Sequence, residues 1–256
     1  GSSGIGLAVA QNLAAKGYDL ALFARSDAGL ADAKQAILAG NYSGRVNVWP
    51  VDVSNREALQ AAVSDAIERL GVPDMAIASA GIAEPGLFAN QSADLHERHM
   101  AVNYFGAHHF VQALTAPMAK AGGGRIGLIA SGAAFFGIYG YSAYAPTKFA
   151  LRGLAEVLRI ELAPLGISVT LCYPPDTDTP QLEAENRTKP RATQIITEGG
   201  GLWQAEDIAE RLLRGMERKA FTVAPGWQMK LLLYFGSLLA PLLRWHQHRI
   251  VRKVGK

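Results

Sequence analysis

The run Gly1-Ser2-Ser3-Gly4-Ile5-Gly6, followed by apolar Leu7, Val9, Ala10, Leu13 and Ala14 and then by Leu20-Ala21-Leu22-Phe23-Ala24-Arg25, decides the fold. Glycines let a backbone come close to a pyrophosphate, and a helix N-terminus offers free N–H groups and a positive dipole end. A leftover tag would explain Gly-Ser-Ser-Gly, but not Ile5-Gly6 or the helical run that ends at Lys16-Gly17. The segment reads as the turn and first helix of a dinucleotide-binding unit, with a strand after it. Further along, apolar runs alternate with helical periodicity. Strands are predicted at Leu20–Ala24, Val46–Val51, Met75–Ser79, Arg125–Ala130, Ile167–Tyr173 and Phe221–Val223. Helices are predicted over 5–16, 26–39, 55–70, 92–120, 142–163 and 205–218, with Ser54 as a cap. Uninterrupted apolar strands suit a parallel sheet covered on both faces. The expected fold is α/β: a Rossmann-like doubly wound parallel sheet in a three-layer sandwich over residues 1–225, with a tail at 226–256. A hydrophobic content of 49% suits a core of that size, and the single cysteine, Cys172, excludes an intrachain disulfide and fits a reducing compartment.

Chemistry enters with Tyr144-Ala145-Pro146-Thr147-Lys148, where phenol and ammonium lie one helical turn apart, and with Ser131 at the end of the apolar run 125–130. A phenol has a pKa of about 10, and a nearby ammonium favours its ionised form. A serine hydroxyl can hold a carbonyl oxygen while the tyrosine exchanges a proton with it, the general acid–base chemistry of ketone reduction or its reverse. A surface Tyr-x-x-x-Lys on an amphipathic helix is the competing explanation of this spacing alone. The end of the second predicted strand bears on the cofactor. An acidic residue there would bind a ribose 2′-hydroxyl and select NAD. Arg25 stands there instead and suits a 2′-phosphate, so NADPH is expected; Asp19 lies before the strand, in the wrong place for a ribose. For Arg25 the competing explanation is a solvated surface charge.

With these motifs the chain resembles the short-chain dehydrogenase/reductase family over nearly all of residues 1–225. The family's turn is Thr-Gly-x-x-x-Gly-x-Gly. Gly4 and Gly6 match its last two glycines, and Gly1, Ser2 and Ser3 fill its variable slots. Its Thr-Gly and first strand are absent, so a longer protein with an apolar strand ahead of Gly1 is expected. The resemblance implies further cofactor contacts: Asp52-Val53 at the adenine, Ser79-Ala80-Gly81 in place of the usual Asn-Ala-Gly turn, and Pro174, Thr177 and Thr179 after the sixth predicted strand. It also implies that Asn103 supports a proton relay to Lys148, and that Tyr144 and Lys148 contact the cofactor as well as the substrate. Pro175 replaces the family's glycine and stiffens that loop.

The strings Tyr173-Pro174-Pro175-Asp176-Thr177-Asp178-Thr179-Pro180 and Glu185-Asn186-Arg187-Thr188-Lys189-Pro190 are similar to one branch of that family, the 3-ketodihydrosphingosine reductases. This resemblance implies NADPH-dependent reduction of the C3 ketone of a long-chain amino-ketone lipid, in sphingolipid synthesis. Asp176, Asp178, Glu183 and Glu185 have two readings: attraction of the substrate ammonium, or turn caps and surface pairs with Arg187 and Lys189.

The tail also suits a lipid substrate. Eight of the 25 basic side chains and none of the 22 acidic ones follow Glu217, so a basic tail sits on a body of net charge about −5. Its apolar stretch, Leu231 to Leu243, contains Gly236 and Pro241 and falls short of the roughly 20 residues of a bilayer span. Trp227, Tyr234 and Trp245 with the arginines beyond suit a membrane interface, so an amphipathic helix lying on the membrane is expected. The corresponding location is cytoplasmic, peripheral to the membrane. A helix packed on a second subunit of a homo-oligomer is the competing reading. No nucleic-acid-binding module accompanies the basic charge, and no metal site is expected. Two rival functions remain: a reductase of another hydrophobic ketone or alcohol, against which the 173–190 strings argue, and a non-catalytic NADP-binding membrane scaffold, against which the intact Asn103, Ser131, Tyr144 and Lys148 argue.

Overall fold

In the computed structural model of the chain, which describes residues 1–40 and 42–254, helices and parallel strands alternate from the start. In chain order they are α1 (Gly4–Ala15), β1 (Leu20–Ala24), α2 (Asp27–Leu38), β2 (Val46–Pro50), α3 (Arg56–Leu70), β3 (Met75–Ala78), α4 (Ala93–Met100), α5 (Gly106–Lys120), β4 (Gly124–Ile129), α6 (Ala145–Glu161) and β5 (Ile167–Cys172). They continue as β6 (Thr177–Asp178), α7 (Pro180–Thr188), α8 (Arg191–Thr197), β7 (Trp203–Gln204), α9 (Ala205–Glu217), β8 (Thr222–Val223) and α10 (Gly226–Val254). All pairings between these strands are parallel, in the orders β1-β2, β3-β4-β5-β8 and β6-β7. One apolar cluster joins Leu59 and Val63 of α3, Val111 and Met118 of α5 and Leu151 and Ala155 of α6 to one side of the sheet. A second joins Val9 and Leu13 of α1, Leu30 and Ile37 of α2 and Ile208 and Leu212 of α9 to the other. These are the three layers the strand–helix alternation predicts.

β1 and β3 do not pair with each other. A slot of about 510 Å³ lies between them, lined by Leu20 to Phe23 on one side and Met75 to Ser79 on the other. Gly1 lies at this slot, its nitrogen donating to the Phe23 carbonyl at 2.7 Å.

Several local features depart from the sequence expectation. Asn55, not Ser54, caps α3: its side chain accepts from the Ala58 N–H at 3.0 Å, while the Ser54 hydroxyl is turned to Asp52 at 2.7 Å. The predicted helix 92–120 is interrupted by a π turn at Ala101–Phe105, which widens the ladder at Asn103. Two helices, α7 and α8, occupy a stretch with no predicted element. The tail is one long helix docked on the body. Met229 is buried in the first apolar cluster, and the buried Gln247 accepts from the Tyr139 N–H at 3.0 Å and donates to the Gly137 carbonyl at 2.9 Å. It is not amphipathic in the expected single-stripe sense. Met229, Leu232, Gly236, Leu239, Leu243 and Ile250 face inward, while Trp227, Tyr234, Phe235, Leu238, Leu242 and Trp245 form an exposed apolar stripe. Lys256, counted with the basic tail, lies outside the described residues.

Candidate active site

A single cavity of about 900 Å³ collects nearly all the residues singled out above. Its walls include Ser2, Ser3, Gly4, Ile5 and Gly6, then Arg25, Asp52, Val53, Ser79, Ala80, Gly81, Ser131, Tyr144, Lys148, Pro174, Thr177 and Thr179. The glycine turn is built for close approach. Gly4 has φ +52°, and a Cβ there would meet Thr179 Cγ2 at 3.0 Å; a Cβ on Gly6 would meet Ser79 Oγ at 2.5 Å. Ser3, the N-cap of α1, makes no side-chain cap bond, which leaves the helix's first N–H groups toward the cavity. This cradle, with the exposed Arg25 at its side, fits a nicotinamide dinucleotide: the helix end and glycines for its pyrophosphate, Asp52 and Val53 for its adenine end. Burial alone would raise the Asp52 carboxyl, but Ser54 N–H and hydroxyl bonds, helped by Arg25, hold it below the ordinary range. Asp19 bonds to Arg45 at 2.7 Å, away from any ribose. Thr179 is partly committed elsewhere: its hydroxyl caps α7 through the Leu182 N–H at 3.2 Å.

The catalytic candidates converge at the other side of this cradle. Tyr144 is the N-cap of α6 and Lys148 lies in its first turn, with Pro146 at a helix start where its missing N–H costs nothing. The Lys148 ammonium donates to the Ile129 carbonyl at 3.1 Å and lies 5.4 Å from the centre of the Tyr144 ring. Ser131 sits at the end of β4, its Oγ accepting from the Ala133 N–H. Asn103 does not line the cavity. It is buried behind it, with Oδ1 accepting from Ile82 N–H at 2.8 Å and Nδ2 donating to the Ile82 carbonyl and to Thr147 Oγ1. A Cβ at Gly81 would lie 3.4 Å from Asn103 Oδ1 and 3.8 Å from Lys148 Nζ, so the two groups flank one glycine.

Electrostatics here run against the simple expectation. Burial pushes the Tyr144 phenol well above its ordinary range, Glu185 and then Asp176 push it further, and a Ser131 hydrogen bond draws it partly back. Burial also lowers the Lys148 ammonium to about 8, against an upward pull from Glu185. Burial sets the balance, so the phenol starts protonated, the form a proton donor needs.

Two groups of residues escaped the sequence. One is the wall contributed by α10, where Met229, Leu232, Leu239, Leu243 and His246 line the cavity. The other is the pair Tyr141 and Gln181, which hydrogen-bond the buried Glu185, itself one of the acids singled out in the sequence. The four acids of the 176–185 stretch divide between the two readings. Glu183 pairs with Arg187 at 2.7 Å on the surface and Asp178 is exposed, whereas Asp176 and Glu185 line the cavity and meet Lys189 in the interior.

The chain matches a known family and is similar to several known proteins. A family model described as short chain dehydrogenase matches residues 1–190. The chain is 38% identical over 229 residues to a 3-dehydrosphinganine reductase of Danio rerio, covering 88% of this chain and 69% of that one. It is 36% identical over 229 residues to a 3-ketodihydrosphingosine reductase of Bos taurus, with the same coverage of 88% and 69%. Among solved structures, levodione reductase superposes with a TM-score of 0.77 at 27% identity, covering 87% of this chain and 92% of that one.

Proposed function

This chain belongs to the short-chain dehydrogenase family, and from that premise we propose its reaction: reduction of the C3 ketone of 3-ketodihydrosphingosine to dihydrosphingosine, in sphingolipid synthesis. The observation that carries this is one cavity in which Ser131, Tyr144 and Lys148 stand between a glycine cradle and a wall of α10 leucines. A polar reacting end and an apolar wall of α10 side chains suit a long-chain ketone. Incubation with the purified ketone, followed by cofactor consumption and product mass, tests it.

When bound, the nicotinamide cofactor supplies the hydride. The chain's own residues do the rest. Ser131 holds the ketone oxygen in place, and the protonated Tyr144 gives that oxygen its proton. The Lys148 ammonium stabilises the phenolate left behind, while the Asn103 and Thr147 hydrogen bonds fix the start of α6. NADPH is the cofactor we assign, on the position of Arg25 beside the cradle. Arg25→Ala should weaken NADPH binding by about 10- to 100-fold with much less effect on NADH. Titration of both cofactors checks this; an unchanged ratio would leave Arg25 as a surface charge.

The exposed stripe of α10 has a membrane surface as its partner in our reading. No helix of the described residues is long and apolar enough to cross a membrane. Trp227, Tyr234, Phe235, Leu238, Leu242 and Trp245 are more than half exposed, and Arg244, Arg249, Arg252 and Lys253 flank them. Apolar area and cationic charge together support peripheral binding to anionic lipid. Leu238→Glu with Leu242→Glu should reduce binding to phosphatidylserine vesicles by about tenfold or more, with the fold intact by circular dichroism. Unchanged binding would return the stripe to a subunit contact.

A further inference from the structure

Glu185 occupies an unusual place for a carboxylate. It is 7% exposed, in the wall of the catalytic cavity, where it accepts from the Tyr141 hydroxyl at 2.8 Å and from Gln181 Nε2 at 3.0 Å. Lys189, itself 6% exposed, lies 4.0 Å from Glu185 and 3.6 Å from Asp176. One ammonium thus serves two carboxylates. A buried charge without full compensation is costly, and an ionised carboxylate offers about four acceptor positions, of which Tyr141 and Gln181 fill two. The Tyr141 ring that carries the bond to Glu185 lies 5.3 Å from the Tyr144 ring. Burial raises both the Glu185 and the Asp176 carboxyls above their ordinary range, and the charge Glu185 carries when ionised sits one ring away from the proton donor, where it opposes release of the proton.

We propose that Glu185 is the specificity-determining residue that receives the ammonium at C2 of the amino-ketone substrate. The proposal rests on the amino-ketone reaction above and adds a recognition element to it. C2 adjoins the ketone carbon, so a substrate whose carbonyl is held by Ser131 and Tyr144 carries its cation in the immediate neighbourhood of this cluster. The cation brings the cluster to neutrality: two carboxylates, Lys189 and the substrate ammonium. It also removes the repulsion that a developing Tyr144 phenolate would meet. The amine is then both a handle and an activator, and Tyr144 becomes a better acid only when an amino ketone is present. Asp176, bonded to the same lysine, sets the charge of the cluster, while Glu183 and Asp178 at the surface take no part.

The test compares two substrates in wild type and in Glu185→Gln: 3-ketodihydrosphingosine, and the same 1-hydroxy-3-ketone with hydrogen in place of the amine. Wild type should favour the amino ketone in kcat/KM by about 10- to 100-fold, the range for a hydrogen bond to a charged group. In Glu185→Gln that ratio should fall toward one, with the melting temperature and NADPH affinity as checks on the fold. A purely structural role would depress both substrates together and leave the ratio standing, which would overturn the proposal, as would an unchanged ratio at full activity. If the variant does not fold, the wild-type ratio alone decides: equal use of the two ketones overturns the proposal. Wild type that reduces neither ketone would instead sink the reaction itself, and this inference with it.

Discussion

Tyr144→Phe should lower ketone reduction by about 10²–10⁴-fold while leaving NADPH binding and the melting temperature close to wild type. Tyr144 is 8% exposed, and its ring packs in a small apolar cluster with Ala83, Ala133, Tyr141 and Ala145. Phenylalanine preserves that packing, so the loss reports the hydroxyl alone. Because burial and the carboxylates hold the phenol above its ordinary range, Tyr144 itself stays protonated throughout the usual assay range. The pH dependence should come from Lys148, whose ammonium burial lowers to about 8. Reduction should fall as pH rises through about 8, where the lysine loses the charge that supports the phenolate. Steady-state rates from pH 6 to 10 check this. A folded Tyr144→Phe enzyme with near-wild-type turnover would remove Tyr144 from the proton transfer.

Removal of residues 226–256 should abolish activity on membrane-held and water-soluble ketones alike. A detachable anchor, which the tail's composition predicts, would spare the soluble one. The packing of α10 says otherwise. Met229 is buried in the main core against the Gly132 turn beside Ser131, and Gln247 holds the Gly137 and Tyr139 backbone groups just ahead of Tyr144. Burial of Met229 and Ile250 contributes about 1.5–3 kcal/mol each, a large share of the 5–15 kcal/mol by which domains of this kind are stable. The cavity would also lose its α10 side chains and admit water. Thermal unfolding and turnover of a short-chain ketone measure both effects. Retention of soluble activity at an unchanged melting temperature would restore the separable anchor.

The parts of this molecule that the sequence reveals are those governed by local chemistry. Buried parallel strands such as Leu20–Ala24 and Ile167–Cys172 are apolar runs because both faces are covered, and the glycine turn is visible because only glycine tolerates Gly4's geometry. Ser131, Tyr144 and Lys148 follow from residue type and spacing. What stays hidden depends on packing. Helices α7 and α8 lie in a polar stretch, and their stability comes from the Thr179 cap and from contacts such as the Thr193 hydroxyl on the Tyr139 carbonyl at 2.7 Å. In α10, apolar residues on opposite faces read as one hydrophobic stretch, because hydropathy does not record which side meets protein. The fate of the four acids between 176 and 185 was open for the same reason: a surface Glu183 and a buried Glu185 look alike in a sequence.

The two faces of α10 have a kinetic consequence. On the membrane contact proposed above, with the other side of the helix enclosing the reacting cavity, the bilayer and not the bulk solution is the reservoir from which the cavity fills. The effective concentration is then a mole fraction in two dimensions. Diluting the ketone with inert phospholipid should slow turnover, whereas diluting the whole vesicle suspension, once the protein is bound, should leave the rate per enzyme unchanged.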